Sequence, residues 1–136
     1  MAEANKGTVF VVDDDENIIK AMMRILKNEG FEVYAASNGK NALDMTARRK
    51  FDLMFLDLMM PGFSGLDVMA FMQVARPEMP IVIISALSDS ATKDAAFDLG
   101  AYDYLTKPFS PKQVAEIANR VICSESEESE STETAD

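Results

Sequence analysis

Four short runs rich in apolar residues each lead into side chains able to do polar chemistry. Asp13-Asp14-Asp15 follow TVFVV, Asp57 follows LMFL, Ser85 follows IVII, and Thr106-Lys107 follow YDYL. Asp57 is the sharpest case, because FLDLMMPGFSG reads as a buried strand that carries a carboxylate and then breaks at Pro61-Gly62. An unpaired charge is costly to bury, so this group needs a partner or an exit from the core. Asp13, Asp14 and Asp57 on neighbouring strand ends would repel one another without a cation. Oxygen-only ligands favour a hard ion such as Mg2+, for which Mn2+ can substitute. Lys107 adds one fixed positive charge, able to pair with Asp57 or with charge developing on it. Asp15 has a simpler reading as the cap of the helix that follows. The chain has no histidine. That removes His-based acid–base catalysis, Ser-His and Cys-His nucleophile pairs and His-ligated zinc, and leaves carboxylates, hydroxyls, lysine and a hard metal ion.

These groups need a scaffold that brings strand ends together. Thr8 to Val12, Leu53 to Leu56 and Ile81 to Ile84 are continuous apolar runs, as in strands covered on both faces at the centre of a parallel sheet. Phe31 to Ala35 and Tyr102 to Leu105 are more mixed, as edge strands are. Helical patterns alternate with them: Ile18 to Leu26 before Gly30, Ala42 to Ala47, Leu66 to Met72, Ala91 to Leu99, and a last helix opened by Ser110-Pro111 with Gln113 completing a capping box. Five βα units with right-handed crossovers predict an α/β fold, a five-stranded doubly wound parallel sheet flanked by five helices. Ligands in such sheets bind beyond the carboxyl ends of the strands. Asp57 is therefore expected to leave the core and emerge at that mouth.

Composition bounds the rest. At 136 residues the chain fits one domain, expected over 1–123. Residues 124–136, SESEESESTETAD, hold six acids and no base, and are expected to form a disordered tail. No basic stripe accompanies the net charge of −10, which argues against direct nucleic-acid binding. No apolar run approaches the ~20 residues that span a membrane. The single cysteine, Cys123, allows no intramolecular disulfide and suits a reducing cytoplasm. The ten methionines read as core filler.

VVDDDENI, FLDLMMPGFSGLD, IVIISA and YLTKPF, in this order and spacing, resemble the receiver domain of bacterial two-component response regulators, of the chemotaxis type with a flavodoxin-like fold. The resemblance runs from about Thr8 to Cys123. It implies strand order 2-1-3-4-5 and a phosphoacceptor signalling domain, not an enzyme, with intrinsic self-phosphorylation and autodephosphorylation. Carried over by position, Asp57 would take a phosphoryl group from the phosphohistidine of a sensor histidine kinase or phosphotransfer protein. Asp13, Asp14, Asp57 and the main-chain carbonyl of Met59 would hold Mg2+. Ser85 matches the switch hydroxyl, Lys107 the phosphate partner and Tyr104 the switch aromatic. Residues 89–122 would present the output surface of helix 4, strand 5 and helix 5 to an unidentified partner, and the Lys107-Pro108 bond would be cis. Met59 and Leu87, two residues after Asp57 and Ser85, offer no group to orient a hydrolytic water, which implies slow autodephosphorylation.

Other readings compete. A haloacid-dehalogenase-type phosphatase needs an acid where Met59 stands, and a flavodoxin needs a hydroxyl- and glycine-rich loop where DDDEN stands. A pseudo-receiver would normally have lost an acid or the lysine. The chain also suits the amino-terminal receiver of a longer DNA-binding or enzymatic regulator, although Ile117 stands where the winged-helix class carries arginine.

Overall fold

Apolar continuity decides which strands lie inside. In the computed structural model, which describes residues 5–123, β1 (Thr8–Val12), β3 (Leu53–Asp57) and β4 (Ile81–Ser85) fill the centre of the sheet. The mixed segments β2 (Glu32–Ala36) and β5 (Asp103–Thr106) form its edges. All pairings are parallel and the order is β2-β1-β3-β4-β5, as the resemblance implied. The expected tail at 124–136 lies outside the described residues.

Side chains alternate between the two faces along each strand. On one face, Phe10, Met54, Leu56 and Ile83 pack with Ala42 of α2 (Gly39–Arg48), Val68, Met69 and Met72 of α3 (Gly65–Ala75) and Ala96 of α4 (Ser90–Asp98). On the other, Val9, Val11, Phe55, Val82 and Ile84 meet Met22 and Leu26 of α1 (Glu16–Asn28) and Val114, Ile117 and Ala118 of α5 (Pro111–Ala118). The chain therefore has two apolar layers, one on each side of a sheet with no wet face. Met22, Met54, Met69 and Met72 are fully buried, as core filler should be. Met59 departs from that expectation, since it is 57% exposed on the loop after β3.

Local chemistry sets the helix starts. Asp15 caps α1 by accepting the Asn17 N–H, and Ser110 with Gln113 forms the expected capping box on α5, with Pro111 in its first turn. Every strand but β1 differs by one residue from the sequence reading: β3 and β4 run on through Asp57 and Ser85, and both edge strands shift along by one. Phe31 donates its N–H to Leu26 O in the turn closing α1, so β2 starts at Glu32. At the other edge β5 reaches Thr106, which pairs with Ser85. Beyond α5 the helix loosens into a π-helical turn, Asn119–Cys123.

Candidate functional site

The register of the parallel strands gathers the polar ends. Val12 pairs with Leu56 and Asp57 with Ile84, so Asp13, just past β1, lies beside Asp57 and Ser85, the last residues of β3 and β4. Asp13 is fully buried. Its own N–H donates to Ala36 O (3.2 Å), and its Oδ1 accepts the Asp15 N–H (2.9 Å). Among the described residues its Oδ2 receives no well-directed hydrogen bond, although the Lys107 ammonium stands 2.9 Å away. Asp14, the next residue, is exposed. One carboxylate oxygen from each of Asp13, Asp14 and Asp57 lies within 4.8 Å of the others.

Asp57 is only 3% exposed, so the expectation that it emerges at the mouth is corrected. It is the last residue of β3 and stays within the wall. The chain reaches solvent two residues later, at Met59, whose N–H donates to Asp57 Oδ1 (3.3 Å). Gly65 explains why the strand end is so closely covered: a β-carbon there would overlap the Asp57 carbonyl oxygen and stand 2.6 Å from Leu58 Cα.

The lysine pairing also differs in emphasis from the sequence reading. Lys107 Nζ is 2.9 Å from Asp13 but 3.7 Å from Asp57. Asp13 presents the buried oxygen without a hydrogen bond, whereas Asp57 already accepts one from Met59. Lys107 is held at its backbone, where its N–H donates to Ser85 O (2.7 Å), and the Lys107-Pro108 bond is cis as expected.

The field of this cluster is read from its acids. Burial, followed by the charge of Asp13, raises the Asp57 pKa from 3.8 to about 6, while Lys107 and the Met59 N–H pull the other way. Burial also works against the charge on Lys107, but the close contact of its ammonium with Asp13 and the negative charges of Asp13 and Asp57 outweigh this and raise its pKa. A hard divalent cation suits this donor set: three carboxylates in reach of one another, one buried oxygen without a hydrogen bond, and an acid that resists ionising beside them.

Ser85 is fully buried, and its Oγ accepts the Leu87 N–H (3.1 Å). Tyr104 donates its hydroxyl to Leu87 O (2.6 Å), with its ring partly buried against the α2–α3–α4 layer. Ser85 and Tyr104 thus hold the same loop residue from two sides. Lys93 of α4, with its ammonium 5.5 Å from the Tyr104 ring centroid, was missed by sequence reasoning. Only the packing of α4 beside β5 brings them together, and no local pattern marks it.

Known proteins resemble this chain in sequence and fold. The family described as the response regulator receiver domain matches residues 9–119. The alginate biosynthesis transcriptional regulatory protein AlgB of Pseudomonas putida is 40% identical over 113 residues, covering 83% of this chain and 25% of that protein. The alkaline phosphatase synthesis transcriptional regulatory protein PhoP of Bacillus subtilis is 37% identical over 106 residues, covering 78% of this chain and 44% of that protein. The chain thus spans between a quarter and a half of the length of these relatives. The solved receiver domain of NtrX from Brucella abortus superposes with a TM-score of 0.80 at 33% identity, covering 84% of this chain and 97% of that one. DrrB, a Thermotoga maritima OmpR/PhoB homologue, gives a TM-score of 0.80 at 31% identity, covering 87% of this chain and 53% of that one.

Proposed function

The chain belongs to the response regulator receiver domain family, and from that premise we propose that Asp57 is its phosphoacceptor. Phosphorylation by a kinase is the general function of such domains. The observation that carries the assignment is where Asp57 stands: it ends β3 within reach of Asp13 and Asp14, with Lys107 at 3.7 Å and the exposed Met59 loop directly after it, whereas Asp13, closer to the ammonium at 2.9 Å, is fully buried.

In the proposed step a carboxylate oxygen of Asp57 attacks the phosphorus of a phosphohistidine on a sensor kinase or phosphotransfer protein. The new P–O bond forms as the P–N bond breaks, and the imidazole nitrogen leaves with its electron pair and takes up a proton. Small phosphodonors such as acetyl phosphate would react at the same oxygen. Asp13, Asp14, Asp57 and the carbonyl of Met59 are the groups that would hold Mg2+ or Mn2+. A bound divalent ion supplies screening of the negative charge that otherwise opposes carboxylate and phosphate. Lys107 would shift from Asp13 toward the transferred group, and the Ser85 hydroxyl would donate to one of its oxygens.

Ser85 also suggests the route outward. Moving its hydroxyl to the phosphoryl group would cost the Leu87 N–H its acceptor, and Leu87 O is the acceptor of the Tyr104 hydroxyl. The β4–α4 loop and Tyr104 would then resettle together, altering the surface over residues 89–122. Beryllofluoride with Mg2+ tests this: resonances from 89–122 should shift along with Asp57, and a response confined to Asp57 would reject the switch.

Replacement of Asp57 by Asn should abolish labelling by acetyl phosphate or a phosphorylated kinase. Stoichiometric, base-labile phosphate retained in that variant would overturn the assignment.

A kinase as phosphodonor and an output partner on residues 89–122 complete the proposal, with the cytoplasm as its setting. Among the described residues no helix is long and apolar enough to cross a membrane. The expectation of no nucleic-acid contact receives no support from relatives named as transcriptional regulators. Their greater length favours a second reading, in which this receiver governs an attached DNA-binding region. The intact mass of the protein isolated from its source decides between the two.

A further inference from the structure

The loop that follows Asp57 carries Met59, and it is seated on an element with no part in the proposed chemistry. Phe63, near the end of that loop, packs on the first turn of α2. A β-carbon at Gly39 would stand 2.9 Å from Phe63 Cβ, 2.9 Å from the Phe63 carbonyl oxygen and 3.0 Å from ring Cδ2. Carbon atoms rest at roughly 3.5–4.0 Å, so a methyl group at 39 would have to displace Phe63 by about 0.5–1 Å.

Neither backbone conformation nor helix propensity calls for glycine here. The positive-φ glycines are Gly7, Gly30, Gly62 and Gly100, so Gly39 adopts a conformation open to other residues. It is the first residue of α2, after the Asn38 cap, and alanine is the better helix former. Close approach is the remaining reason. The same part of the molecule also borders the acids, since Ala36 O, three residues before Gly39, accepts the Asp13 N–H. At the far end of the loop, Gly65 lies against the Asp57 backbone. The segment from Asp57 to Gly65 is therefore held at Phe63, against Gly39, and at Gly65, against the Asp57 backbone, by contacts that leave no room for a β-carbon.

We propose that Gly39 is a positioning residue for phosphoryl transfer: its missing side chain seats Phe63 on α2 and so fixes the loop that carries Met59. Its functional consequence rests on Asp57 being the acceptor, whereas the contact does not. A displacement of about 1 Å at a reacting centre can cost on the order of 100-fold in rate, so even a partial shift of this loop should be measurable.

Four proteins test this: the parent, Gly39→Ala, Phe63→Gly and the double variant, each followed by amide NMR in the metal-free state, by denaturant unfolding and by acetyl phosphate labelling. Gly39→Ala should move the amide resonances of residues 57–62, keep the unfolding midpoint close to the parent's and slow labelling by roughly tenfold. Phe63→Gly removes two of the three close contacts. In its presence the alanine should therefore have little further effect, and the double variant should label at the rate of Phe63→Gly alone. Unmoved resonances in Gly39→Ala, or fully additive losses in the double variant, would overturn the proposal. Should Asp57 not be the acceptor, Asp57→Asn would keep its label, while the metal-free shifts would still report the Gly39–Phe63 contact.

Discussion

Both ends of the sheet carry charged side chains, but they treat them differently. At the amino end Asp52 accepts the Thr8 N–H (2.8 Å), and Arg76 donates from Nε (3.1 Å) and Nη2 (2.7 Å) to Thr46 O. Asn119 there donates to Glu29 (3.0 Å) and accepts from Lys6 (3.1 Å). At the carboxyl end two buried acids face each other and an exposed third, with one lysine between them and an oxygen of Asp13 that lacks a hydrogen bond. One end is satisfied by partners within the chain. The other gathers a donor set that a cation from outside would complete, the difference expected between a structural edge and a functional one.

The largest expected effect strikes the unsatisfied end. Asp13→Ala should weaken Mg2+ binding by at least roughly tenfold, read by titrating Mg2+ against the Met59 amide resonance. Unchanged affinity would mean that this end is not completed by a cation.

A second test turns on stability. The folded protein holds the Asp57 pKa near 6 against 3.8 for the ordinary carboxylate, so the native state binds its proton more tightly than the unfolded chain. The stability this confers is present below about pH 3.8 and is lost as the pH rises through about 6. Asp57→Asn should therefore be more stable than the parent at pH 7 in EDTA, by about 1–3 kcal/mol, and show no such advantage near pH 3.5. Urea unfolding at the two pH values measures it; an advantage that persists in acid would point to packing instead of charge.

Arg76→Ala should do the reverse at the satisfied end. It leaves the Thr46 carbonyl without either guanidinium bond and should lose about 1–2 kcal/mol, with Mg2+ affinity unchanged. A loss of metal binding in this variant would break the distinction between the two ends.

The smallest effect sharpens the functional end itself. Met59 and Leu87 present apolar, partly exposed side chains around the proposed acceptor. Met59→Asn with Leu87→Glu should speed loss of phosphate from Asp57 by roughly severalfold, well below the effect of a positioned general base. An unchanged half-life would show that the apolar pair does not govern water.

Much of this molecule was legible before folding was considered. TVFVV, LMFL and IVII are too continuously apolar to leave either face in water, so they belong at the centre of a sheet. Ser110-Pro111-Lys112-Gln113 contains its own capping chemistry, because the groups that meet are three residues apart. The four motifs marked the acids, the hydroxyl and the lysine, since strand ends and polar residues coincide along the chain. What only the tertiary structure decided are relations between distant segments. Lys107 sits closer to Asp13 than to Asp57, Tyr104 reaches Leu87 O beside Lys93, and Gly39 leaves room for Phe63. Asp57 itself lies under cover at a strand end where the sequence suggested an open mouth. Local patterns follow from hydropathy, backbone preference and short-range hydrogen bonds, all of which a stretch of chain carries with it. Distances of an ångström between segments dozens of residues apart arise only when strand register and helix packing are solved together.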